Sequence, residues 1–279
     1  MPWAERPLRR VAVLTHGRAD QIGAGMARLQ TVAREAGVEL LVPREEADKH
    51  ELTVAGDLAQ AELAVVLGGD GTMLRALTRF LGTGIPVLGV NFGRVGFLSA
   101  MGRAELEGGL ARVFAGEYEV VELPTIEIEV GGERHIAVND AVATSGVLGR
   151  MVELQWAVGG EDLGTVPCDG IICCTPSGST AYNLSNGGPV LMWGLDALAV
   201  TFVAPHSLHA RPLVVPPGRD VLVWNRTPDV SVAVLVDGHR VGDAPPGERV
   251  VVRLAPERTL LATLPEATFV SRYRQSFAT

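Results

Sequence analysis

One short stretch of the sequence carries residue types that could do chemistry. It is Gly68–Thr72 (GGDGT), which follows the apolar run Leu63–Leu67 and precedes a helical pattern that starts at Met73. The pattern predicts a buried strand, a glycine loop and a helix. The glycines let a ligand approach the backbone, and Thr72 is expected to be the N-cap, so free amide groups would face that ligand. The sequence therefore predicts a phosphate cradle.

Asp70 lies inside this loop and decides what the cradle would do. A carboxylate repels phosphate unless it holds a cation or takes a proton from an incoming hydroxyl group. We therefore expect transfer chemistry in which Asp70 either holds a cation or accepts a proton, while the alternative is an ordinary strand-to-helix turn with Asp70 at its surface. The spacing fits neither G-x-G-x-x-G nor the Walker loop, which needs a lysine. Contacts to the phosphate donor are expected from Gly68, Gly69, Gly71, Thr72 and Arg75.

A second candidate site is rich in hydroxyl groups. The stretch Asp169–Pro189 runs from an apolar strand into a loop of small residues, Ser177–Thr180, and then reaches Tyr182, whose ring could stack on a base. Asn139-Asp140 ends another short strand with an amide beside a carboxylate, a pair that can read an adenine edge and a ribose diol. A capped turn and an Asx turn would look similar, so both interpretations stay open.

Alternating strand and helix patterns must position the glycine loop. This alternation predicts a doubly wound α/β domain over residues 1–116, whose ligands lie at the carboxyl ends of the strands, where Asp70 and Asn91 fall. The predicted strands are Arg9–His16, Val38–Val42, Leu63–Leu67 and Ile85–Asn91. The predicted helices are about Asp20–Ala36 with Gly37 as C-cap, a helix that follows Thr72 and ends near Gly82, and Glu105–Phe114.

The pattern changes near Glu117. Short β-branched runs broken by Gly, Pro and Asp predict a mostly antiparallel β domain over residues 117–265. Four of these runs are Thr125–Val130, Val152–Val158, Val230–Val236 and Arg249–Leu254. The tail, residues 266–279, is expected to form a short helix at Phe269–Phe277 and to pack back on the first domain.

Composition excludes several classes of partner. A net charge of −8 and a pI near 5.3 argue against a nucleic-acid groove or an anionic membrane surface. Lys49 is the only lysine, so cationic contacts to phosphate must come from arginine or a metal ion. Cys168, Cys173 and Cys174 are expected to be buried thiols in a reducing compartment. With neither a signal pattern nor a membrane-length apolar run, the sequence predicts a cytoplasmic protein.

Taken together, five blocks of the sequence resemble the NAD kinases in order and spacing, from Ala64 to Pro216. The blocks are Gly68–Thr72, Asn91–Leu98 (NFGRVGFL), Asn139-Asp140, Thr175–Leu184 (TPSGSTAYNL) and Pro205–Pro216 (PHSLHARPLVVP). The resemblance implies phosphorylation of the adenosine ribose 2′-hydroxyl of NAD to give NADP. It further implies ATP or inorganic polyphosphate as donor, a divalent cation (Mg or Mn), an α/β domain followed by a β-sandwich, and a homo-oligomer, either dimer or tetramer.

The resemblance also implies roles for individual residues. Asp70 is the expected proton acceptor, and no residue of the chain is assigned as a metal ligand. The residues expected to contact NAD are Asp70, Gly71, Asn139, Asp140, Arg150, Asp169, Ser177, Thr180, Ala181, Tyr182, Asn183, Leu184, Ser185, Ala204 and His239.

Two positions depart from the family pattern. Pro167 stands where many members carry arginine, and His239 stands where many carry glutamine. We expect Arg150 to compensate for the missing charge. The alternatives are a lipid or sugar kinase that shares the Gly-Gly-Asp-Gly loop, and a non-catalytic NAD sensor. The acidic composition argues against a lipid-surface enzyme, and the charge of Asp70 argues against a protein that only binds.

Overall fold

The computed structural model describes residues 6–16, 19–50, 56–93 and 96–277. The chain divides into two compact units. The first unit contains the chain up to Glu122 together with the chain from Thr259 onward, and the second unit is Leu123–Arg258.

The first part of the chain alternates strands and helices. Its elements are β1 (Arg10–Thr15), α1 (Ala19–Ala36), β2 (Glu39–Leu41), α2 (Arg44–His50), β3 (Leu63–Gly68), α3 (Asp70–Arg79), β4 (Val87–Asn91), β5 (Met101–Gly102) and α4 (Leu106–Phe114). Single 3₁₀ turns lie at Leu58–Gln60 and Arg103–Glu105. Gly37 follows α1 with φ of 67°, which is the left-handed conformation expected of a glycine C-cap.

The remainder of the chain is mostly strand. Its elements are β6 (Glu119–Val130), β7 (Glu133–Ala137), β8 (Asp140–Ser145), β9 (Val152–Val158), β10 (Glu161–Cys168), β11 (Gly170–Cys174), α5 (Tyr182–Ser185), β12 (Leu198–Val203), β13 (Leu213–Val215), β14 (Val221–Asn225), β15 (Val232–Val236), β16 (His239–Ala244), β17 (Arg249–Thr263) and α6 (Phe269–Phe277).

The sheet of the first unit is parallel and has β3 near its middle. Strands β2, β1, β3 and β4 lie side by side in that order, and the last residues of β17 pair in parallel with β4. Every residue of β3 is buried, as a strand covered on both faces requires. Gly68 pairs with Asn91, so the carboxyl ends of β3 and β4 meet at one edge. The predicted doubly wound arrangement is confirmed.

The polar segment after Pro43 forms helix α2, which the sequence analysis did not predict. The Glu46 side chain of this helix is buried. It accepts hydrogen bonds from the backbone N–H of Thr15 over 3.0 Å and from the hydroxyl group of Thr15 over 2.5 Å. Lys49 Nζ contacts the same carboxylate over 2.7 Å. The only lysine of the chain is therefore bound to the end of β1.

The second unit contains two antiparallel sheets around a shared apolar core. One sheet includes β10, β9, β14 and β17, and the other has the order β13, β12, β11, β8, β15, β16. Trp156 on β9 meets Phe202 on β12 edge to face, with ring centroids 5.4 Å apart. Cys173 and Cys174 lie on opposite faces of β11 in different apolar clusters. The predicted sandwich-like β domain is confirmed.

Within the described residues, no helix combines the length and the apolar character needed to cross a membrane.

Candidate active site

Helix α3 begins three residues earlier than the sequence suggested. Gly69 is the N-cap, with φ of −109° and ψ of −173°, and Asp70 is the first helical residue. The prediction that Thr72 is the N-cap is wrong. The Thr72 side chain is buried against Gly68 and does not cap the helix. A carboxylate in the first turn is favoured by the helix dipole, so Asp70 suits this position.

All five residues predicted for the donor loop line one cavity of about 510 Å³ in the first unit. They are Gly68, Gly69, Gly71, Thr72 and Arg75, and the same cavity is lined by His16 and Phe92. Arg75 is exposed, and it forms no ion pair with any residue in the described part of the chain. The cavity therefore combines a helix N-terminus with a positive side chain, two features that bind phosphate.

The Asp70 carboxylate is held by a segment that follows β4. Oδ2 accepts a hydrogen bond from the backbone N–H of Phe97 over 2.9 Å, and Oδ1 accepts one from that of Leu98 over 3.2 Å. A Cβ atom on Gly96 would collide with both carboxylate oxygens, so only glycine allows this approach. Each oxygen keeps a further lone pair for a proton or a ligand. Asp70 is thus oriented by its surroundings, unlike a surface turn residue.

A second cavity in the first unit, of about 710 Å³, has Arg272 of α6 in its wall. Burial lowers the pKa of Arg272 to about 10, and the nearby charge of Asp70 acts in the opposite direction. Ser99 also lines this cavity, and its buried hydroxyl group finds no hydrogen-bond partner among the described residues. Sequence reasoning missed Arg272, although an arginine between Phe269 and Phe277 on the apolar face of a helix was an available signal.

In the second unit, the two stretches considered separately in the sequence lie together. Ser177 Oγ donates to Asn139 Oδ1 over 2.8 Å, and Thr175 Oγ1 donates to the backbone oxygen of Val138 over 2.6 Å. A Cβ atom on Gly178 would collide with the backbone of Asn139. The hydroxyl-rich loop is therefore packed directly on the Asn139-Asp140 strand end.

Asp237 organises this strand end and was missed by the sequence analysis. Its carboxylate accepts hydrogen bonds from the backbone N–H groups of Val138, Asn139 and Asp140 over 2.9, 2.8 and 3.1 Å. Its φ of 48° is rare for a non-glycine residue, and the Asp-Gly pair between β15 and β16 is the hairpin signal that could have marked it. Burial, with the charge of Asp237 second, raises the pKa of Asp140 to about 6.

The predicted adenine segment forms a 3₁₀ turn, Gly178–Thr180, followed by α5. Tyr182 is 46% exposed, so its ring is available to a ligand. Asn183 is fully buried: its Nδ2 donates to the backbone oxygens of Ser179 and Pro189, and its Oδ1 accepts from Thr201. The Asn183 side chain therefore holds the loop together. Of the remaining residues of the segment, Thr180, Ala181 and Leu184 are half-buried and Ser185 is exposed.

The other predicted NAD contacts are spread over the second unit. His239 Nδ1 lies 3.0 Å from the backbone oxygen of Asp237, which places it beside the Asn139-Asp140 strand end. Asp169 is exposed directly after β10, and Ala204 has a φ of 43°, a left-handed conformation unusual for alanine. Arg150 is paired with Asp229 over 2.9 Å and forms no ion pair with the other predicted contacts.

Protein ligands for a metal ion do not cluster in the described part of the chain, where no group of three or more His, Cys, Asp or Glu residues could hold one. Mg²⁺ in kinase sites is bound through one or two carboxylates and the phosphates of the substrate. Asp70 is the only acidic side chain in the glycine loop and keeps lone pairs free of backbone bonds. The residues present fit an ion that arrives with the phosphate donor.

A glycine loop and an oriented carboxylate between a buried parallel strand and a helix N-terminus are features of a phosphotransferase. Residues 20–118 match the model of the ATP-NAD kinase N-terminal domain, and residues 138–264 match that of the ATP-NAD kinase C-terminal domain. The NAD kinase of Leifsonia xyli subsp. xyli is 37% identical to this chain, over 96% of this chain and 94% of its own length. The chain belongs to the NAD kinase family of enzymes.

Two solved structures share the fold. Yeast NADH kinase complexed with NADH matches with a TM-score of 0.85 and 23% identity, over 99% of this chain and 89% of its own. An NAD kinase from Archaeoglobus fulgidus in complex with ATP matches with a TM-score of 0.74 and 23% identity, over 95% and 98% of the two chains.

Proposed function

We propose that this chain phosphorylates the 2′-hydroxyl group of the adenosine ribose of NAD and so forms NADP. The observation that carries the proposal is the Asp70 carboxylate, fixed by two backbone N–H groups at the start of α3 beside a cavity suited to phosphate. The names of the family relatives support NAD as the acceptor.

The transfer step needs a proton acceptor next to the attacking oxygen. In the step that we propose, the 2′-oxygen forms a bond to the terminal phosphorus of the donor, and the bond from that phosphorus to the bridging oxygen breaks. The proton of the 2′-hydroxyl group moves to a carboxylate oxygen of Asp70, and the shortened donor leaves with the electron pair. Asp70 is the base in this account.

The donor is proposed to be ATP or inorganic polyphosphate. Backbone amides of Gly68–Thr72 and the guanidinium group of Arg75 would hold its phosphates, because Lys49 is already bound to Glu46. A divalent cation would neutralise the phosphate charge, with Asp70 as the acidic side chain able to add a ligand.

In the second unit, Asn139 and Asp140 are proposed to read the adenosine half of NAD, with Tyr182 stacked on adenine. Ser177 positions Asn139 through its hydroxyl group, and His239 lies at the same strand end. We propose that Arg150 supplies the charge that Pro167 cannot, after leaving its surface pair with Asp229. A surface pair of this kind is worth about 0–1 kcal/mol, so it opposes that movement weakly.

We also propose a cellular compartment and an oligomeric state for the enzyme. Three free, buried thiols at Cys168, Cys173 and Cys174 support a reducing compartment, and we propose the cytoplasm. We also propose a homo-oligomer, as the family resemblance implies; sedimentation of the purified chain tests this.

The direct test is to incubate the purified chain with NAD, ATP and Mg²⁺ and to measure NADP. We expect NADP to form, and we expect excess EDTA to abolish it. Diacylglycerol and fructose 6-phosphate, offered as acceptors in parallel, separate this function from a lipid or sugar kinase. Binding of NAD without any NADP would instead identify a sensor.

A further inference from the structure

Helix α2 holds the end of β1 through a cluster of polar side chains. The Glu46 carboxylate, on a residue that is only 5% exposed, accepts hydrogen bonds from the backbone N–H and the hydroxyl group of Thr15, the last residue of β1. Lys49 Nζ lies 2.7 Å from the same carboxylate and also donates to Thr15 Oγ1 over 3.1 Å. His50 Nε2 lies 2.8 Å from that hydroxyl oxygen. Three side chains of one helix therefore converge on one residue of the strand.

The backbone of His16, the residue after β1, is bound on two sides. Its N–H donates to the backbone oxygen of Leu67 on β3 over 2.9 Å, and its own backbone oxygen accepts a hydrogen bond from Lys49 Nζ over 3.3 Å. Leu67 directly precedes Gly68, the first residue of the glycine loop. The ion pair between Glu46 and Lys49 therefore fixes His16 beside the strand end from which the glycine loop starts.

His16 also lies in the wall of the proposed donor cavity. That cavity, of about 510 Å³, is lined by His16 together with Gly68, Gly69, Gly71 and Arg75, and His16 is half-buried. An imidazole ring offers an N–H donor in its neutral form and two in its charged form. Hydrogen bonds from such groups to charged oxygens are among the stronger ones in proteins. The ring is therefore suited to a phosphate that enters the cavity.

The composition of the cluster favours a role in positioning over one in stability. A buried ion pair adds little net stability, because the lost hydration of the two charges offsets much of their attraction. Here the pair forms four contacts to the backbone and hydroxyl groups of two consecutive residues, Thr15 and His16. Its effect is to set the path of the chain where the chain reaches the donor cavity.

We propose that the imidazole ring of His16 contacts the phosphates of the donor, and that Glu46 and Lys49 are positioning residues that hold His16 there. This inference rests on the proposed function and adds to it a donor contact outside the glycine loop. Binding of NAD does not depend on the contact.

The first comparison tests the ring. His16→Phe keeps a ring but has no N–H group, whereas His16→Gln keeps a hydrogen-bond donor. Calorimetry with ATP and Mg²⁺, without NAD, should give a Kd about tenfold higher for His16→Phe than for wild type, as expected when a hydrogen bond to a charged group is lost. The Kd for inorganic tripolyphosphate should rise by a similar factor, because the contact is to phosphate. His16→Gln should bind both more tightly than His16→Phe.

The second comparison tests the positioning by α2. Lys49→Met removes the cation that bonds the backbone of His16, and Arg44→Met removes a cation from an exposed position of the same helix. We expect Lys49→Met to raise the Kd for ATP and for tripolyphosphate roughly three- to tenfold, as for the loss of one hydrogen bond, while the KM for NAD stays unchanged. Arg44→Met should match wild type throughout.

Thermal unfolding establishes that each variant is folded. Lys49→Met leaves the buried carboxylate of Glu46 without its charge partner, which can prevent folding. In that case the double variant Glu46→Gln with Lys49→Met replaces it, because both charges are then removed together.

Wild-type affinity for ATP in His16→Phe would overturn the inference, and so would wild-type affinity in the folded Lys49 variant. Weaker binding of ATP with unchanged binding of tripolyphosphate would overturn the contact to phosphate, as would a wild-type chain that binds neither. A KM for NAD that rises as much as the Kd for ATP would indicate a general loss of structure and would also overturn the inference. These binding measurements need no turnover, so they are separate from the proposed function, which the absence of NADP formation by wild type would reject.

Discussion

The backbone N–H of Asp140 donates to Asp237 Oδ1 over 3.1 Å, so two acidic residues share one strand end. Burial and the charge of Asp237 raise the pKa of Asp140 to about 6, and burial also raises the pKa of Asp237. Two effects oppose this rise in the pKa of Asp237: the hydrogen bonds that its carboxylate accepts from backbone N–H groups, and the nearby His239. Asp140 therefore changes its charge close to physiological pH.

We expect the affinity for NAD to depend on this titration. An ionised Asp140 accepts hydrogen bonds from the ribose hydroxyl groups more strongly than a protonated one. The Kd for NAD should therefore rise as the pH falls below about 6. Calorimetric titrations from pH 5 to pH 8 measure it, and Asp140→Asn should bind NAD more weakly and with little change over this range. The same pH dependence in both proteins would contradict the assignment.

The free energy of unfolding should also depend on the titration of Asp140, and the raised pKa fixes the direction of that dependence. The folded-state pKa of Asp140 is raised, so the folded protein binds more protons than the unfolded chain between about pH 4 and pH 6. The contribution of Asp140 to the free energy of unfolding therefore falls as the pH rises through that window, by on the order of 3 kcal/mol. Asp140→Asn should lack this term. Urea unfolding of both proteins at pH 4.5 and pH 7 measures it, and an equal pH response would count against it.

Two glycines of the loop offer a matched pair of variants. A Cβ atom on Gly71 would meet no other atom within 4 Å, whereas one on Gly68 would lie 2.6 Å from Thr72 Oγ1. We expect Gly71→Ala to keep the melting temperature or raise it slightly, since alanine favours a helix, but to raise the KM for ATP about tenfold by obstructing the cavity. Gly68→Ala should instead destabilise the fold by roughly 1–3 kcal/mol. A Gly71→Ala enzyme with a normal KM for ATP would show that the loop does not contact the donor.

Much of the first domain could be predicted because its signals are local. The apolar run before Gly68 and the glycine after α1 each indicated an element that the structure contains, and in the second unit so did the β-branched run at Val152–Val158. Helix α2 was missed because it depends on Glu46 being bonded to β1, far away in the sequence. Thr72 was misplaced because packing against Gly68 outweighs its capping preference.

In the candidate site, too, local sequence signals could be predicted and contacts between residues far apart in the sequence could not. Short motifs identified the glycine loop and the Asn139-Asp140 pair, each from neighbours in the sequence. Asp237 accepts hydrogen bonds from residues about 100 positions away in the sequence, and no local pattern reports such a distance. Asn183 was selected by its motif, but its burial and its bonds to Thr201 give its side chain a structural role.

Substitutions of Tyr182 test the proposed adenine site. Its ring is exposed, and stacking on a base contributes roughly 1–3 kcal/mol where it has been measured in nucleic-acid sites. Tyr182→Ala should raise the KM for NAD about tenfold or more and change the KM for ATP far less, while Tyr182→Phe keeps the ring and should resemble wild type. Steady-state kinetics with each substrate varied measures both constants. An unaltered KM for NAD in Tyr182→Ala would remove Tyr182 from the site.

In the proposed reaction, Asp70 accepts the proton of the ribose hydroxyl group. Asp70→Asn keeps the size of the side chain and an oxygen for one of the backbone N–H groups of Phe97 and Leu98, but it cannot take up the proton. We expect kcat to fall by about two to four orders of magnitude, the usual contribution of a general base. NAD affinity should largely survive.

The decisive measurement combines two readings on one preparation of Asp70→Asn: calorimetric titration with NAD, followed by an assay of NADP formation. We expect a Kd for NAD close to that of wild type together with almost no turnover. Near-normal turnover would contradict this expectation, because Asp70 would then not be the base, and loss of both binding and turnover would instead make Asp70 a residue that positions the ligand.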